Sequence, residues 1–592
     1  MGAITILQNG NNRTEEECIL YLIDKVTALE AENESSLFAR ECIFVLISAF
    51  NIFLMQVGFA MLEVGTVQTK NAKSVLFKNI IDCCAGVMIW WLWGYGISKG
   101  IYRDLWTNHD HSSAALQDAH ALYFFHSFTF STTCATIMSG GVVERMTFPA
   151  YMSISAAMVG FIYPVTVSWI WTEEGWLNRL GFIDFAGSSA VHALGGVATL
   201  AACGVLGARI GKYRYDEEDA QWHVKKFTPH SPVFANLGTF ILMFGWLSFN
   251  ASSTLGAKEA DFKTAIRAVV NTMLSGATSC VVGSAYFRMQ SGVHNLDKMH
   301  NSLLVGLVSI TGCCAYVDFY VGPVVGFIAA ISYNAGSNLM TKLRIDDPLD
   351  AAAVHGCGGV WGTLATGLFV NPFHSNKANL MKGLFFGGGK LLLIQILGTV
   401  VILIWGGSVI TMLLLLLKKL AAWFKNFPDI RASKDAEILG LDCAYYDGFL
   451  FPDLDKSAII AHNELIAAKR RVRAKTKASS KGSNFGHDPG SLSTRRFQTT
   501  PKCTASSNRA SSEYSDKESK TTQQNSQGWI ALDVSTKSET IPFSKESSKF
   551  IKIAACDEKE EEKESIEIVE CPAKKRKTYV GTDKEENIVA HL

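Results

Sequence analysis

The chain has 592 residues, 48% of them hydrophobic and 11% aromatic, and its 55 basic and 54 acidic side chains leave a formal charge of +1. A charge so close to neutral excludes any argument for a nucleic-acid partner from bulk basicity, so the placement of the charges carries the information. The averages join two unlike regions: long apolar runs with few charges up to about residue 417, then a polar, Ser- and Lys-rich remainder with no apolar periodicity.

Residues 1–40 read as a polar tail on the extracellular side. They lack an apolar core of 7–15 residues after a basic start, so no cleavable signal peptide is expected and the first span directs its own insertion. Two N-x-S/T sequons, at Asn12 and Asn33, would carry glycans if the tail is luminal. Beyond the tail, a helix needs about 20 apolar residues to cross a hydrocarbon core of about 30 Å. Eleven stretches meet that requirement: 42–64, 79–98, 121–143, 149–171, 185–208, 233–251, 264–286, 299–317, 320–340, 351–370 and 391–417. The expected fold class is therefore all-α, a polytopic membrane protein whose membrane domain fills residues 41–420.

Small residues run through these stretches, as in Gly195-Gly196, Gly358-Gly359 and Gly387-Gly388-Gly389, which suits helices packing backbone to backbone in lipid. With the N-terminus outside, thirteen Lys and Arg between Lys70 and Arg344 fall in cytoplasmic loops, against eight between Lys99 and Lys390 in extracellular ones. That asymmetry favours N-out, C-in. The 14 cysteines are scattered, mostly inside apolar stretches and without a C-x-x-C pair, so neither a disulfide framework nor a metal site is expected.

Two octets are nearly the same: AVHALGGV (Ala190 to Val197) and AVHGCGGV (Ala353 to Val360). One opens the fifth stretch and the other the tenth, so the repeat unit is five spans. An odd-numbered unit repeated in tandem inserts in opposite orientations, giving a five-plus-five inverted repeat. Asp184 lies eight residues before His192 and Asp347 eight before His355. Eight residues of helix rise about 12 Å, so the two histidines approach the midplane from opposite sides. A lone intramembrane histidine is as readily a hydrogen-bonding partner for a neighbouring helix, but a matched pair at mirrored depth points to a pore or binding role. Haem or copper ligation is one use for such a pair. Proton handling suits the Gly- and Ala-lined octets better, because only histidine titrates near neutrality without help.

Five segments, in order, resemble the ammonium transporter family over about residues 40–450: GFAMLEVG (Gly58 to Gly65), ERMTF (Glu144 to Phe148), DFAGSSAVHALGG (Asp184 to Gly196), GWLSFNASS (Gly245 to Ser253) and DDPLDAAAVHGCGG (Asp346 to Gly359). Trp171 and Ser253 are similar to that family's extracellular recruitment site, which places the chain on the ammonium branch, in an animal-like form, and not on the Rhesus branch. The resemblance implies a homotrimer in the plasma membrane with one pore per protomer, an outer recruitment site of Trp171, Ser253 and Phe130, a gate of Phe130, Phe249 and His126, and His192 and His355 as the twin histidines of the pore. It implies a transporter and not an enzyme, with no cofactor. His126 and Ser127 in FFHSFTFS (Phe124 to Ser131) stand where an aromatic and a Gln are expected, and Ser248 and Ser252 where Gly is usual.

Magnitudes narrow the mechanism. Burying a bare ammonium-sized ion costs roughly tens of kcal/mol by a Born estimate. Cation–π contact with Trp171 supplies about 0.5–2 kcal/mol, enough to concentrate the ion at the mouth but not to carry it across. Deprotonation removes most of the penalty; His192 and His355 could accept hydrogen bonds from neutral ammonia, and the resemblance implies that they form a relay for the proton, which either follows the ammonia, making transport electrogenic, or returns outside, making the protein a gas channel. Asp184 and Asp350 have two readings, a helix-capping carboxylate or a field at the pore mouth, and capping is preferred. A charged His126 in the vestibule would repel ammonium.

Residues 421–450 include EILGLDCAYYDGF (Glu437 to Phe449), which resembles the family's cytoplasmic regulatory segment, with Ala444 where some relatives carry a phosphorylatable Thr. Residues 451–592 read as a disordered cytoplasmic tail, with basic runs at 469–477 and 573–577 and an acidic run at 557–564. The rival readings are a neutral-gas channel, an ammonium sensor with little flux, and a haem-bearing redox protein.

Overall fold

The computed structural model describes residues 14–100, 118–256, 258–375 and 380–448. The expectations for Asn12, for the tail 451–592 and for its charged runs lie outside the described residues. The chain divides into units 1–487 and 488–592, and every described residue belongs to the first.

Helical rods dominate the described residues, in the order α1 (Glu15–Thr66), α2 (72–98), α3 (Asp118–Val142), α4 (148–171), α5 (Ser188–Leu206), α6 (Pro232–Ala251), α7 (Glu259–Ser291), α8 (Leu296–Ile310), α9 (Val321–Lys342), α10 (352–369) and α11 (Gly389–Trp423). Each apolar stretch read from the sequence falls on one of these rods. Seven of the helices are long and apolar enough to cross a membrane by length and composition. Polarity is distributed for lipid: Phe240, Ile266, Val281, Leu393 and Ile404 face outward while Ser, Thr and Asn side chains fill much of the interior. The chain is thus an all-α polytopic membrane protein. A small antiparallel hairpin of β1 (Tyr213–Asp216) and β2 (Gln221–Val224) lies between α5 and α6.

α1 begins much earlier than the apolar stretch at 42–64. Thr14 and Glu17 form a capping box, the Thr14 side chain accepting from Glu17 N–H and the Glu17 carboxylate accepting from Thr14 N–H. From there one helix continues for 52 residues. The segment 15–40 is therefore helix continuous with the first span, and Asn33 sits on it.

α5 and α10 start from opposite faces. Asp184, at the start of α5, lines a vestibule together with Trp171. At the start of α10, Asp346 accepts from Arg209, beside the C-terminal segment. Each helix opens with a π-turn, Ser188–Ala193 and Ala352–Cys357, and each turn contains the histidine. Such wide turns are rare and recur at functional sites. Where the two helices cross, a Cβ on Gly196 would stand 2.1 Å from Gly356 N, and one on Gly359 would stand 2.5 Å from Ala193 N. Only glycine permits that approach, so the second glycine of each Gly-Gly pair, Gly196 and Gly359, sets the crossing.

Past α11, α12 (Lys434–Leu439) and α13 (Leu441–Tyr445) dock against the start of α2 and the α5–α6 connection. Asp442 accepts the N–H groups of Lys73 and Ser74, capping the first turn of α2, and Lys70 Nζ donates to the carbonyls of Glu437 and Ile438.

Candidate functional site

The site is built where α5, α6 and α10 meet. His192 and His355 are fully enclosed, with ring centroids 5.3 Å apart and Nδ1 to Nδ1 3.3 Å. Two Nδ1 atoms make that contact only if one bears the proton and the other accepts it. Opposite tautomers follow. At their far nitrogens the pair then offers one Nε2 acceptor and one Nε2–H donor. His192 Nε2 is buried without a hydrogen-bond partner, an arrangement that leaves it available to a guest. Direct ring contact leaves no gap for a planar macrocycle between them, which does not fit the haem reading.

Aromatic groups enclose the pair. Trp246 stacks on His192 at 5.0 Å and 16°, and its Nε1 donates to Thr311 Oγ1. Phe249 lies 5.8 Å from His192 and stacks on Phe130 at 4.0 Å, so the two phenyl rings close the way to the histidines. Phe59 of α1 stands 6.5 Å from His355 on the other side.

Beyond Phe130 opens a vestibule of about 750 Å³, lined among others by Trp171, Ser253, His126, Asp184, Lys99 and His374. Trp171 meets the edge of Phe130 at 6.2 Å, and its indole Nε1 donates to the Asp184 carbonyl, which fixes the ring. Ser253, in the 3-10 turn Ser252–Thr254 that follows α6, donates its Oγ–H to Phe249 O. Thus Trp171, Ser253 and Phe130 come together as one wall, with Phe249 behind them. His126 is buried at that wall, with Nε2 2.8 Å from Ser252 Oγ and its ring 5.0 Å from Phe130.

The aspartates divide their roles. Asp184 accepts the N–H groups of Gly187, Ser189 and Ala190 and the Ser189 hydroxyl, so its carboxylate is spent on the first turn of α5. Asp350 does not cap α10, which corrects the expectation for it. Its backbone is left-handed, at φ 57°, and its carboxylate accepts from Lys298 Nζ at 2.6 Å, Tyr333 OH and Ser337 Oγ. Asp347 is the cap, accepting from Ala352 N–H at 2.7 Å. The spacing of eight residues shared by Asp184 and Asp347 was the signal for this. Trp246 and Phe59 were overlooked as site residues although both lie within quoted motifs; a tryptophan deep inside a span, away from the interface where it is usually enriched, was the available clue.

Fold and site together define a multi-pass helical membrane protein in which two stacked phenyl rings separate a vestibule from a buried histidine pair. Residues 43–451 match the model of the Ammonium Transporter Family. A putative ammonium transporter 1 from Caenorhabditis elegans is 37% identical over 359 residues, covering 58% of this chain and 66% of that protein. Ammonium transporter Amt2 from Archaeoglobus fulgidus is 33% identical, covering 69% of this chain and 88% of its own. Among solved structures, one titled Sensor Amt Protein matches with a TM-score of 0.62 at 30% identity, covering 70% of this chain and 99% of that one. Mep2 from Candida albicans matches with a TM-score of 0.59 at 25% identity, covering 67% and 87%. The chain belongs to the ammonium transporter family, whose members are channels and transporters and not enzymes.

Proposed function

We propose that the protein recruits ammonium at Trp171, Phe130 and Ser253, that the ion gives its proton to His192 Nε2 behind the Phe130–Phe249 gate, and that the ammonia left passes along His192 and His355. The observation that carries this reading is the direct Nδ1 contact of the two buried imidazoles, with His192 Nε2 left open. An imidazole pair of opposite tautomers accepts at one end and donates at the other, so a proton entering at one far nitrogen and leaving at the other only exchanges the tautomers. Ammonia needs hydrogen-bond partners and nothing to balance a charge, so the aromatic-lined surroundings of the histidine pair suit it and disfavour the ion.

In this reading all eleven rods cross the plasma membrane, the vestibule and Asn12 and Asn33 face outside, the docked segment 434–446 faces the cytoplasm, and three copies form a homotrimer. The segment 421–450 is regulatory and 451–592 is a cytoplasmic tail. The test is voltage-clamp current on adding ammonium or methylammonium to cells expressing the full chain. A saturable inward current is expected, and His192→Ala is expected to abolish it. A sensor reading draws on the structural relative whose title names a sensor. Absence of both current and ammonia-driven pH change would favour it, whereas a pH change without current would make the protein a neutral-gas channel.

A further inference from the structure

The first part of α1 stands clear of the membrane domain. α1 ends at Thr66 beside Ser231 and Glu144, near the docked C-terminal segment, so its start projects from the opposite, vestibule face. Residues 15–41 precede the first apolar stretch and extend about 40 Å as helix. An unsupported helix in water is marginal, and tertiary packing normally supplies its stability. Yet Ile19, Leu20, Ile23, Val26 and Leu29 are all exposed, Leu29 at 60%.

Spacing shows what covers them. Ile19, Leu22, Val26 and Leu29 recur at alternating steps of three and four, the a and d positions of a heptad, with β-branched residues at a and leucine at d. Asn33 continues the series at the next a position, where a buried polar residue specifies register. Lys25 then falls at g and Glu30 at the following e, the two positions that face each other across a parallel pair. All copies of a membrane helix cross in one direction and at one depth, so the bilayer enforces a parallel, in-register meeting. That arrangement is the one in which Lys25 reaches Glu30 of a second copy.

We infer that residues 19–33 of α1 are a self-association stalk that pairs in parallel with the same segment of a second copy of this chain in a neighbouring trimer, because a two-stranded seam cannot close among three copies. The occupant is the chain itself and not another protein, because both the apolar seam and the Lys25–Glu30 pairing are self-complementary. Asn33 lies on the seam, so a glycan there and the paired stalk exclude one another; the stalk requires Asn33 to be unmodified.

The experiment uses the full-length chain in cells, with Cys18→Ser and Cys42→Ser as background and one new cysteine at a time. Leu22→Cys and Val26→Cys are expected to give covalent dimers on oxidation, at least about fivefold more than Asp24→Cys and Ala31→Cys on the f face, three to four residues away. Lys25→Glu should lower the Val26→Cys yield, and adding Glu30→Lys should restore it. Equal yields on both faces, no dimer at any position, cross-linking only to a protein of different mass, or a mobility shift on Asn33→Gln that reveals a glycan would each overturn the inference. Cross-linking is read without transport, so its failure leaves the proposed function standing, and loss of ammonium current leaves the stalk standing.

Discussion

At the residue scale His126 stands where the family resemblance led to a different side chain being expected. Its ring occupies the vestibule wall between Ser252 and Phe130, where an aromatic group was expected, and Lys99 already lends the vestibule one positive charge. The imidazole is buried, its Nε2 is held by Ser252 and a lysine already stands nearby, surroundings that oppose a second positive charge and argue against the expectation that His126 charges in acid and repels ammonium. His126→Phe should therefore leave the shape of the pH–uptake curve unchanged; a flattened acid limb in isotope-labelled methylammonium uptake would retire the idea. Arg209 presents a different single-residue case. Its guanidinium binds Asp346 through Nε and NH2 and also reaches Glu144, all three groups being buried. Burial alone would raise the Asp346 carboxyl, but the hydrogen bond and charge of Arg209 outweigh it and hold the group at about 2. Arg209→Ala takes the guanidinium from two enclosed carboxylates, leaving Glu144 with the donors of Gln68 and Asn71 and Asp346 with Lys212 at 3.8 Å, and is expected to destabilise the domain by about 3 kcal/mol, seen as a lower unfolding midpoint of the detergent-solubilised protein.

At the element scale, the docked C-terminal segment depends on Asp442. Burial pushes its carboxyl up to about 6 from an ordinary 3.8, against the lowering effect of the Ser74 and Lys73 N–H groups it caps. The docked state thus binds a proton that the released state does not between those two values. Docking contributes fully below the released value and weakens as pH rises through about 6. Hydrogen exchange over residues 434–446, corrected for its intrinsic pH dependence, should show greater protection at pH about 5 than at about 7, and Asp442→Asn should remove that difference. Elements were also where the sequence was most and least legible. Each long apolar run falls on a rod, and seven of the described helices have the length and composition that crossing lipid demands. The early start of α1 went unread, since a charged, half-apolar segment in water resembles a tail until its caps and heptad spacing are examined. Asp350 misled because proximity to a helix start looked like capping; its left-handed backbone and the partners Lys298 and Tyr333, 52 and 17 residues away, leave no local trace.

At the scale of the whole molecule, the repeated octets make one structural statement twice. Position by position, Gly196 corresponds to Gly359 and Ala193 to Gly356. The contacts are reciprocal: Gly196 packs on the backbone of Gly356, and Gly359 on that of Ala193. Each helix therefore contributes one obligatory glycine and one position that receives it, and the receiving position already carries a methyl group in the first half. A Cβ built on Gly356 meets Gly196 backbone no nearer than 3.6 Å, an ordinary contact, whereas one on Gly196 or Gly359 runs into main chain. Gly356→Ala should accordingly be tolerated, with ammonium current near that of the parent. Gly196→Ala and Gly359→Ala should each separate the helices, cost about 1–3 kcal/mol or more by overpacking, and move His192 away from His355. Since both variants disturb the same crossing, their effects should resemble each other, and combining them should cost less than the sum. Thermal unfolding and current measured on the four variants check this; loss of function in Gly356→Ala equal to that in Gly196→Ala would show that the two-fold crossing is not what holds the imidazoles together.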